Sequence, residues 1–456
     1  MFKTIELRNF RVFDHVVFDL TGPRDSALDY AVVYGRNASG KTALINSVEF
    51  LKTASVSFSI LMDSLEAINP SDMGRVLAEN GGVRVAAKDI SAFARSNVMR
   101  QAESPMSLHY RFQVDGKDAE YTMEFSQDGG RLISERLRYV SPKARMVEYY
   151  SVEERDGSPH MSFNDRVFPG SDFRDWVESQ AEQRWGRQTL LSIVMYGALI
   201  RNRPYMGREM PCLMKVVDYL DHLNSSMSGF GGEAGGEIER SPMHGWIGSE
   251  DLRVLEAFEA ALDRFMTRVD PDLESVGYET RDSGSGRVEY TLFFDRRIAG
   301  KVRRISYAEE SSGVRGLVRL FPRFLGCANG RVAFIDEMDT GIHDKLMRDL
   351  FRQVLPDMRG QLVASVQNTY LLEELDPRKV FIIDVDIDGV RTIRPISDIT
   401  RTRRNNNNRD RYMRGDLGGV PYIACVDMEN MAEHLREDLD GCQSEYYSIR
   451  YELQPL

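Results

Sequence analysis

Cysteine is scarce and dispersed: four residues, Cys212, Cys327, Cys425 and Cys442, with no C-x-x-C spacing. That excludes a disulfide framework and leaves the thiols as buried or incidental groups in a reducing compartment. The seven histidines are spread as thinly, which argues against a zinc site. No apolar run is long enough for a bilayer. The longest, Leu190 to Ile200, contains Ser192 and Gly197 and reads as a buried core helix. The opening residues Met1-Phe2-Lys3-Thr4-Ile5-Glu6-Leu7 lack the long apolar core of a signal peptide. Positive charge is not in excess: 59 basic against 70 acidic residues give a net charge of −11, so no global field attracts nucleic acid and only a local basic face could. No internal repeat is present. These absences predict a soluble, cytoplasmic protein with no membrane partner.

What is present is concentrated in two motifs. Gly35-Arg36-Asn37-Ala38-Ser39-Gly40-Lys41-Thr42 fits G-x-x-x-x-G-K-[ST] at every defined position. It lies between the apolar run Tyr30-Ala31-Val32-Val33-Tyr34, read as a strand, and Ala43-Leu44-Ile45-Asn46-Ser47-Val48, read as a helix, the context that a phosphate-binding loop requires. Its glycines let backbone N–H groups curl around phosphates, and the helix N-terminus adds its positive dipole end. Lys41 is expected to reach the β- and γ-phosphates, and the Thr42 hydroxyl to ligate Mg²⁺. The chemistry implied is binding of a nucleoside triphosphate, ATP with Mg²⁺.

The second motif is Val332-Ala333-Phe334-Ile335-Asp336-Glu337. Four apolar residues ending in two acids describe a buried parallel strand that delivers carboxylates to its C-terminal edge, where open α/β sheets bind ligands. Asp336 is expected to support the Mg²⁺ hydration shell, and Glu337 to polarise the water attacking the γ-phosphate. Residues 43–335 lie between Thr42 and Asp336. A helix beginning near Glu309-Glu310-Ser311-Ser312-Gly313-Val314-Arg315 immediately precedes the acidic strand. ATP-binding-cassette ATPases have this order: phosphate loop, long insertion, signature loop at a helix start, acidic strand. In that design the signature loop of one subunit closes over ATP held by another, and Ser311, Ser312 and Gly313 fit the role because a helix start offers N–H and O–H donors. An ordinary serine N-cap is the alternative for this segment alone. Asp339, in Met338-Asp339-Thr340-Gly341-Ile342-His343, occupies the place of the dimer-contacting loop. His343 is read as a helix-start residue.

The organisation that follows is an α/β, ABC-type P-loop ATPase head with an antiparallel β subdomain and a helical insertion. Residues 1–54 supply the first part of the core, with short strands around Asn9-Phe10-Arg11. Residues 55–104 form a helical insertion, and 105–170 an antiparallel β subdomain, marked by alternation in His109-Tyr110-Arg111-Phe112-Gln113-Val114 and Tyr121-Thr122-Met123-Glu124-Phe125. Residues 171–280 are read as a further helical insertion carrying a flexible Gly/Ser loop at 225–236. Residues 281–400 complete the core, and 401–456 form a basic linker and C-terminal segment. Asp384-Val385-Asp386-Ile387-Asp388 is read as a strand end running into an Asp-Gly turn at Asp388-Gly389. The six arginines among residues 401–414 suit equally a solvated linker, a phosphate-backbone contact or a docking surface for an acidic partner.

Three runs carry a closer resemblance: Glu309 to Leu317 (EESSGVRGL), Phe334 to His343 (FIDEMDTGIH) and Gln361 to Thr369 (QLVASVQNT) with Leu371-Leu372. They resemble the AAA/ABC-type ATPases of bacterial anti-phage systems, the group that includes RloA, the AbiL ATPase subunit and AriA of PARIS. That group is related to the ATPase half of OLD nucleases and, more distantly, to SMC and RecF heads. Arg414-Gly415-Asp416-Leu417-Gly418-Gly419-Val420-Pro421 resembles the Gly-Gly-[Ile/Val]-Pro ending of the same proteins, and Arg11 resembles the residue that reaches the nucleotide in SMC-like heads. The similarity covers both ends of the chain, about half of it. Where the family has a γ-phosphate-contacting histidine, this sequence has Gln367, which can donate a hydrogen bond but cannot carry a proton or a charge.

The resemblance implies ATP hydrolysis, expected to be slow because of the departure at Gln367, self-association through sandwiched ATP, and a separate effector, a nuclease encoded nearby, held or released by the complex. A phage-encoded protein is the trigger that such a system implies. Two other functions remain open at this level: a RecF/SMC-like ATPase that clamps DNA during repair, and an ATP-dependent scaffold with slow turnover.

Overall fold

The computed structural model describes residues 1–66, 89–168 apart from 142 and 144, 172–200, 203–225, 241–399 apart from 285, 407–421 and 426–441. Most of the Gly/Ser loop expected at 225–236, the central part of the 55–104 insertion, and Arg401, Arg403 and Arg404 lie outside the described residues.

β1 (Phe2–Phe10) and β2 (Phe13–Asp19) form a hairpin. β3 (Tyr30–Gly35) leads through the phosphate-loop segment into helix α1 (Lys41–Glu66). β4 (Met106–Val114), β5 (Lys117–Phe125), β6 (Leu132–Val140), β7 (Met146–Arg155) and β8 (Ser158–Phe163) follow as an antiparallel meander. β4 buries Met106, Leu108, Tyr110, Phe112 and Val114, every second residue, as a sheet with one covered face demands. β1 pairs with β4, so the full order is β2-β1-β4-β5-β6-β7-β8.

The second half begins with β9 (Asn224–Ser225), β10 (His244–Gly248), β11 (Leu273–Asp282), β12 (Arg287–Ile298) and β13 (Lys301–Ser306). β10 to β13 make a four-stranded antiparallel sheet, in which β10 and β13 share one edge of β12 and β11 takes the other. Then β14 (Val332–Ile335), β15 (Gln361–Ser365), β16 (Val380–Val385) and β17 (Arg391–Pro395) complete a six-stranded sheet of order β17-β16-β3-β15-β14-β9. This sheet is parallel except for the β16–β17 hairpin. Its central strands are largely apolar because both faces are covered.

Two cores therefore share the parallel sheet. Val33, Phe334, Val363, Phe381 and Ile383 face α1, the helix Leu190–Ile200 and the seven-stranded sheet. Val32, Tyr34, Ala333, Ile335, Leu362, Ala364 and Ile382 face the helices Leu252–Val269, Ser312–Ala328 and Asp344–Val354 and the four-stranded sheet. Two buried polar residues stitch the first core. Gln361, at the start of β15, accepts from Phe2 N at 2.6 Å and donates to Phe2 O at 2.9 Å and Leu28 O at 2.8 Å. The carboxylate of Glu135 on β6 accepts from Leu190 N at 2.6 Å and Leu191 N at 2.8 Å, capping the start of the helix Leu190–Ile200. It also accepts from the hydroxyls of Tyr121 and Tyr150 at 3.0 and 2.9 Å.

The fold is α/β as expected, with an antiparallel sheet and a helical insertion. Three boundaries are corrected. The antiparallel strands of 105–170 are not self-contained, because β1 and β2 complete their sheet. The stretch 171–280 is not helical throughout: β9 extends the parallel sheet, and β10 and β11 build the second antiparallel one. The C-terminal boundary moves from 401 to 421, because the chain divides into a unit Met1–Val420 and a unit Pro421–Leu456. In the second unit, the helix Met428–Gly441 exposes Met428, Met431 and Leu435.

Candidate functional site

Four parallel strands end at one edge of the six-stranded sheet, and their ends carry the chemistry. β3 ends in Gly35, and α1 starts at Lys41. Between them Ala38 has φ +62° and Gly40 φ +117°, left-handed conformations that turn the loop back on itself. The loop is tight: a Cβ on Gly35 would stand 2.6 Å from Ser39 Oγ and 2.9 Å from Ile383 O. One on Gly40 would stand 2.6 Å from Phe13 Cζ. Arg36, Asn37, Ala38 and Thr42 are exposed, whereas Ser39 and Lys41 are buried. The Lys41 ammonium folds over its own loop, donating to Gly35 O at 2.5 Å and Arg36 O at 3.1 Å. Burial lowers its pKa, and the nearby carboxylates Asp336, Glu337 and Asp339 oppose that shift. Ser39 Oγ is buried and has no hydrogen-bond partner among the described residues.

β15 lies between β3 and β14, and its last residue organises the acidic pair. The Ser365 hydroxyl donates to Asp336 Oδ1 at 2.5 Å and accepts from Glu337 N at 2.8 Å. Glu337 has φ +46°, a strained conformation for a residue with a side chain, and it is exposed. The strain is held in place by that Ser365 bond and by the bond from Thr340 N to Glu337 O at 3.1 Å. Asp336 and Thr42 each offer one oxygen ligand, a set that suits Mg²⁺, which takes few protein ligands and completes its octahedron with phosphate and water.

Asp339 has a different setting from the one expected at a dimer seam. It is buried, and its Oδ2 accepts from Gln367 N at 2.8 Å and Asn368 N at 2.5 Å. Its Oδ1 is buried without a partner among the described residues, and burial pushes the carboxyl pKa up. In this conformation Asp339 faces its own chain and fixes the backbone that presents the exposed Gln367. Asn368 is held in turn: its carbonyl accepts from Tyr34 OH at 2.7 Å and its Nδ2 donates to Asp344 O at 2.9 Å.

Ser311 caps the helix Ser312–Ala328, accepting from Val314 N at 3.3 Å. A Cβ on Gly313 would stand 2.8 Å from Gly341 O, so the helix start packs on the loop after Glu337. Ser311 and Ser312 are exposed, and among the described residues no hydrogen bond joins Ser311, Ser312 or Gly313 to residues 35–42. Glu310 anchors this start from behind, paired with Arg296 at 3.1 Å, and Arg296 also reaches Asp270 at 2.8 Å.

Among the other candidates, Arg11 has φ +53° and donates through Nε to Asn97 Oδ1 at 2.6 Å, while the adjoining Val12 and Phe13 press on Gly40. His343 is an N-cap, as expected, and Asp388-Gly389 is the β16–β17 turn. Of the arginine-rich segment, Arg409 is tied to Thr369 and Glu373 and lies over the Tyr370 ring at 4.0 Å. Sequence reasoning did not single out Ser365, Tyr34 or Arg391. Arg391 Nε donates to Ser39 O at 3.1 Å, bringing a second guanidinium beside Arg36 at the phosphate loop. A serine ending a short apolar strand beside the acidic strand was the one available signal for Ser365.

No protein-family model matches the chain, and no curated protein matches it. Solved structures of SMC heads are similar to it. An SMC head bound to the C-winged helix domain of ScpA is 13% identical, with 86% of this chain and 96% of that chain covered and a TM-score of 0.44. The SMC head domain from Thermotoga maritima is 12% identical, with 86% and 98% covered and a TM-score of 0.37. The SMC head with an extended coiled coil bound to the C-terminal domain of ScpA, from Pyrococcus furiosus, is 11% identical, with 96% and 99% covered and a TM-score of 0.40. These likenesses concern the fold alone. Among the described residues no helix is long and apolar enough to cross a membrane.

Proposed function

We propose that this chain binds ATP with Mg²⁺ at residues 35–42 and hydrolyses it slowly between two copies of itself. The observation that carries this is the closed phosphate loop: Lys41 Nζ sits on Gly35 O and Arg36 O at the N-terminus of α1, within electrostatic reach of Asp336 and Glu337. On binding, Lys41 exchanges those carbonyls for the β- and γ-phosphates, and the helix N-terminus supplies further N–H donors. Thr42 and Asp336 hold Mg²⁺, which neutralises phosphate charge when bound. Glu337 orients the attacking water and takes its proton. Gln367 donates a neutral hydrogen bond to the γ-phosphate, which makes turnover slow. Ser311 and Ser312 are exposed, with the half-buried Gly313 beside them, as donors for ATP held by a second copy.

The biological role we propose is the ATPase subunit of an anti-phage defence complex in the cytoplasm, holding or releasing a separate effector nuclease in response to a phage product. The support is the set of motif runs at 309–317, 334–343 and 361–372, in cassette order, in a chain whose sequence carries no nuclease motif of its own. The test is the native mass of the complex purified with ATP from cells carrying the gene and its neighbours. A second polypeptide in a higher-order assembly supports the role. A bare homodimer that forms only with ATP and binds DNA overturns it in favour of a clamp. Absence of ATP binding by the purified chain, indistinguishable from its Lys41→Ala variant, overturns the ATP site itself.

A further inference from the structure

The segment 407–420, which includes the end of the arginine-rich stretch, is built into the floor of the phosphate loop. The helix Asn408–Met413 lies on residues 369–373, fixed there by Arg409 on Thr369, Glu373 and Tyr370. Its Tyr412 packs against Tyr34 in a tilted arrangement, with ring centroids 5.6 Å apart, and donates its hydroxyl to Gly419 O at 3.1 Å. Tyr34 is the residue before Gly35, and its own hydroxyl holds Asn368 O. The chain then turns through Gly418 (φ +72°) and Gly419 (φ +66°), and Asp384 Oδ1 accepts from Gly419 N at 3.1 Å. A methyl on Gly419 would stand 2.7 Å from Ile382 Cγ2, 3.0 Å from Ile383 O and 3.4 Å from Gly35 Cα. Ile383 pairs with Gly35 across β16 and β3, and Ile383 O is the backbone atom nearest a Cβ placed on Gly35.

We propose that residues 407–420 are a brace that sets the nucleotide affinity of the phosphate loop, with Gly419 as its positioning residue. The brace closes a ring of contacts from Gly35 through Tyr34 to Asn368, on through Thr369 and Arg409 to Tyr412, and back through Gly419. It therefore bears on both places where the γ-phosphate is held, the phosphate loop and Gln367. A side chain at Gly419 meets first the buried, branched Ile382 side chain and behind it the backbone at Ile383 O and Gly35 Cα, so it has little room to displace a neighbour. It must lift the brace from β16 or push Ile383 and Gly35 out of register, and either outcome alters the curl of N–H groups between Gly35 and Lys41. No motif of the phosphate loop itself predicts this dependence, and it rests on the ATP site proposed above.

The test compares binding of a fluorescent ATP analogue with Mg²⁺ to the full chain and three variants, with thermal denaturation measured alongside. Gly419→Ala adds the contact and the strain of a left-handed residue together. Gly415→Ala, at φ +84° with nothing within 4 Å of its added methyl, adds the strain without the contact. The expected result is a loss of affinity of about tenfold for Gly419→Ala. Gly415→Ala should stay within roughly twofold of the parent at a comparable fall in Tm. Tyr412→Phe keeps the ring on Tyr34 and removes one hydrogen bond, so its loss lies between the two, and it carries the test if Gly419→Ala does not fold. Unchanged affinity in both Gly419→Ala and Tyr412→Phe, or an equal loss in Gly415→Ala, overturns the brace while leaving the ATP site standing. No binding by the parent chain overturns the ATP site and the brace with it.

Discussion

Two buried carboxylates sit in opposite regions of the molecule and are treated in opposite ways. Glu135, between the seven-stranded sheet and the helix Leu190–Ile200, accepts four hydrogen bonds and uses both oxygens. Asp339, at the edge of the parallel sheet, spends one oxygen on two N–H groups and has the other buried with no partner among the described residues. Around Asp339 the pattern repeats: among the described residues Ser39 Oγ has no partner, Glu337 is strained, and the Lys41 ammonium bonds to backbone carbonyls of its own loop. A buried polar group with all its bonds made rigidifies the structure around it. One with bonds left over stays available to a ligand. The first region is built to stay put and the second to be completed.

The sharpest way to test this contrast is to alter the reacting edge without altering the fold. Glu337→Gln keeps the shape and removes the proton acceptor. Its ATP turnover should fall about a thousandfold with affinity preserved, as followed by phosphate release and by equilibrium binding. A parallel loss of Tm would show that the edge is structural after all. Glu135→Gln does the reverse. It presents an amide N–H₂ to a backbone N–H that needs an acceptor, so it should cost about 3 kcal/mol of stability by urea denaturation. Ligand affinity in the surviving folded fraction should not change.

Ser365→Ala falls between the two. Releasing Asp336 Oδ1 and Glu337 N should lower turnover about tenfold and stability by about 1 kcal/mol, since each is one buried hydrogen bond's worth of positioning. An effect on stability alone would move Ser365 into the structural region.

The smallest effect is in pH. Burial raises the Glu135 pKa to about 6, against an unfolded value near 4.5. A raised acid binds its proton more tightly when folded, so its contribution is fully present below the unfolded pKa and is lost as pH rises through about 6. Between pH 5 and 7 the parent should lose about 1 kcal/mol that Glu135→Gln does not lose, measured as the difference between their denaturation midpoints.

The edge proposed to bind ATP has plainer signals in the sequence than the framework has. Residues 35–42 and 332–337 announce themselves because their chemistry needs particular residues at fixed short spacing. The β4–β5 hairpin shows through strict alternation. β11 did not show, because Leu273–Asp282 buries a block at Val276-Gly277-Tyr278 and then exposes four residues, which breaks the period. β9 is two residues long, too short for any pattern. Glu135 and Ser365 were invisible for another reason: their partners lie far away along the chain, and one-dimensional spacing carries no trace of such bonds. The same holds for Gly419 on Gly35. The Gly-Gly run was plain in the sequence, but the backbone it approaches was not.

Gln361 has a consequence for how the molecule comes apart. Its side-chain amide stands in for a peptide unit, giving the first strand of one sheet a rung on the first residue of a strand in another. β1 therefore cannot fray without stripping a buried amide of two of its three bonds, and β15 cannot slide without releasing Phe2. Amide protons in β1, β3 and β15 should exchange with solvent in a single cooperative opening, at the free energy of global unfolding. A head wired in this way answers a pull on its antiparallel half as one body, up to the force at which everything lets go.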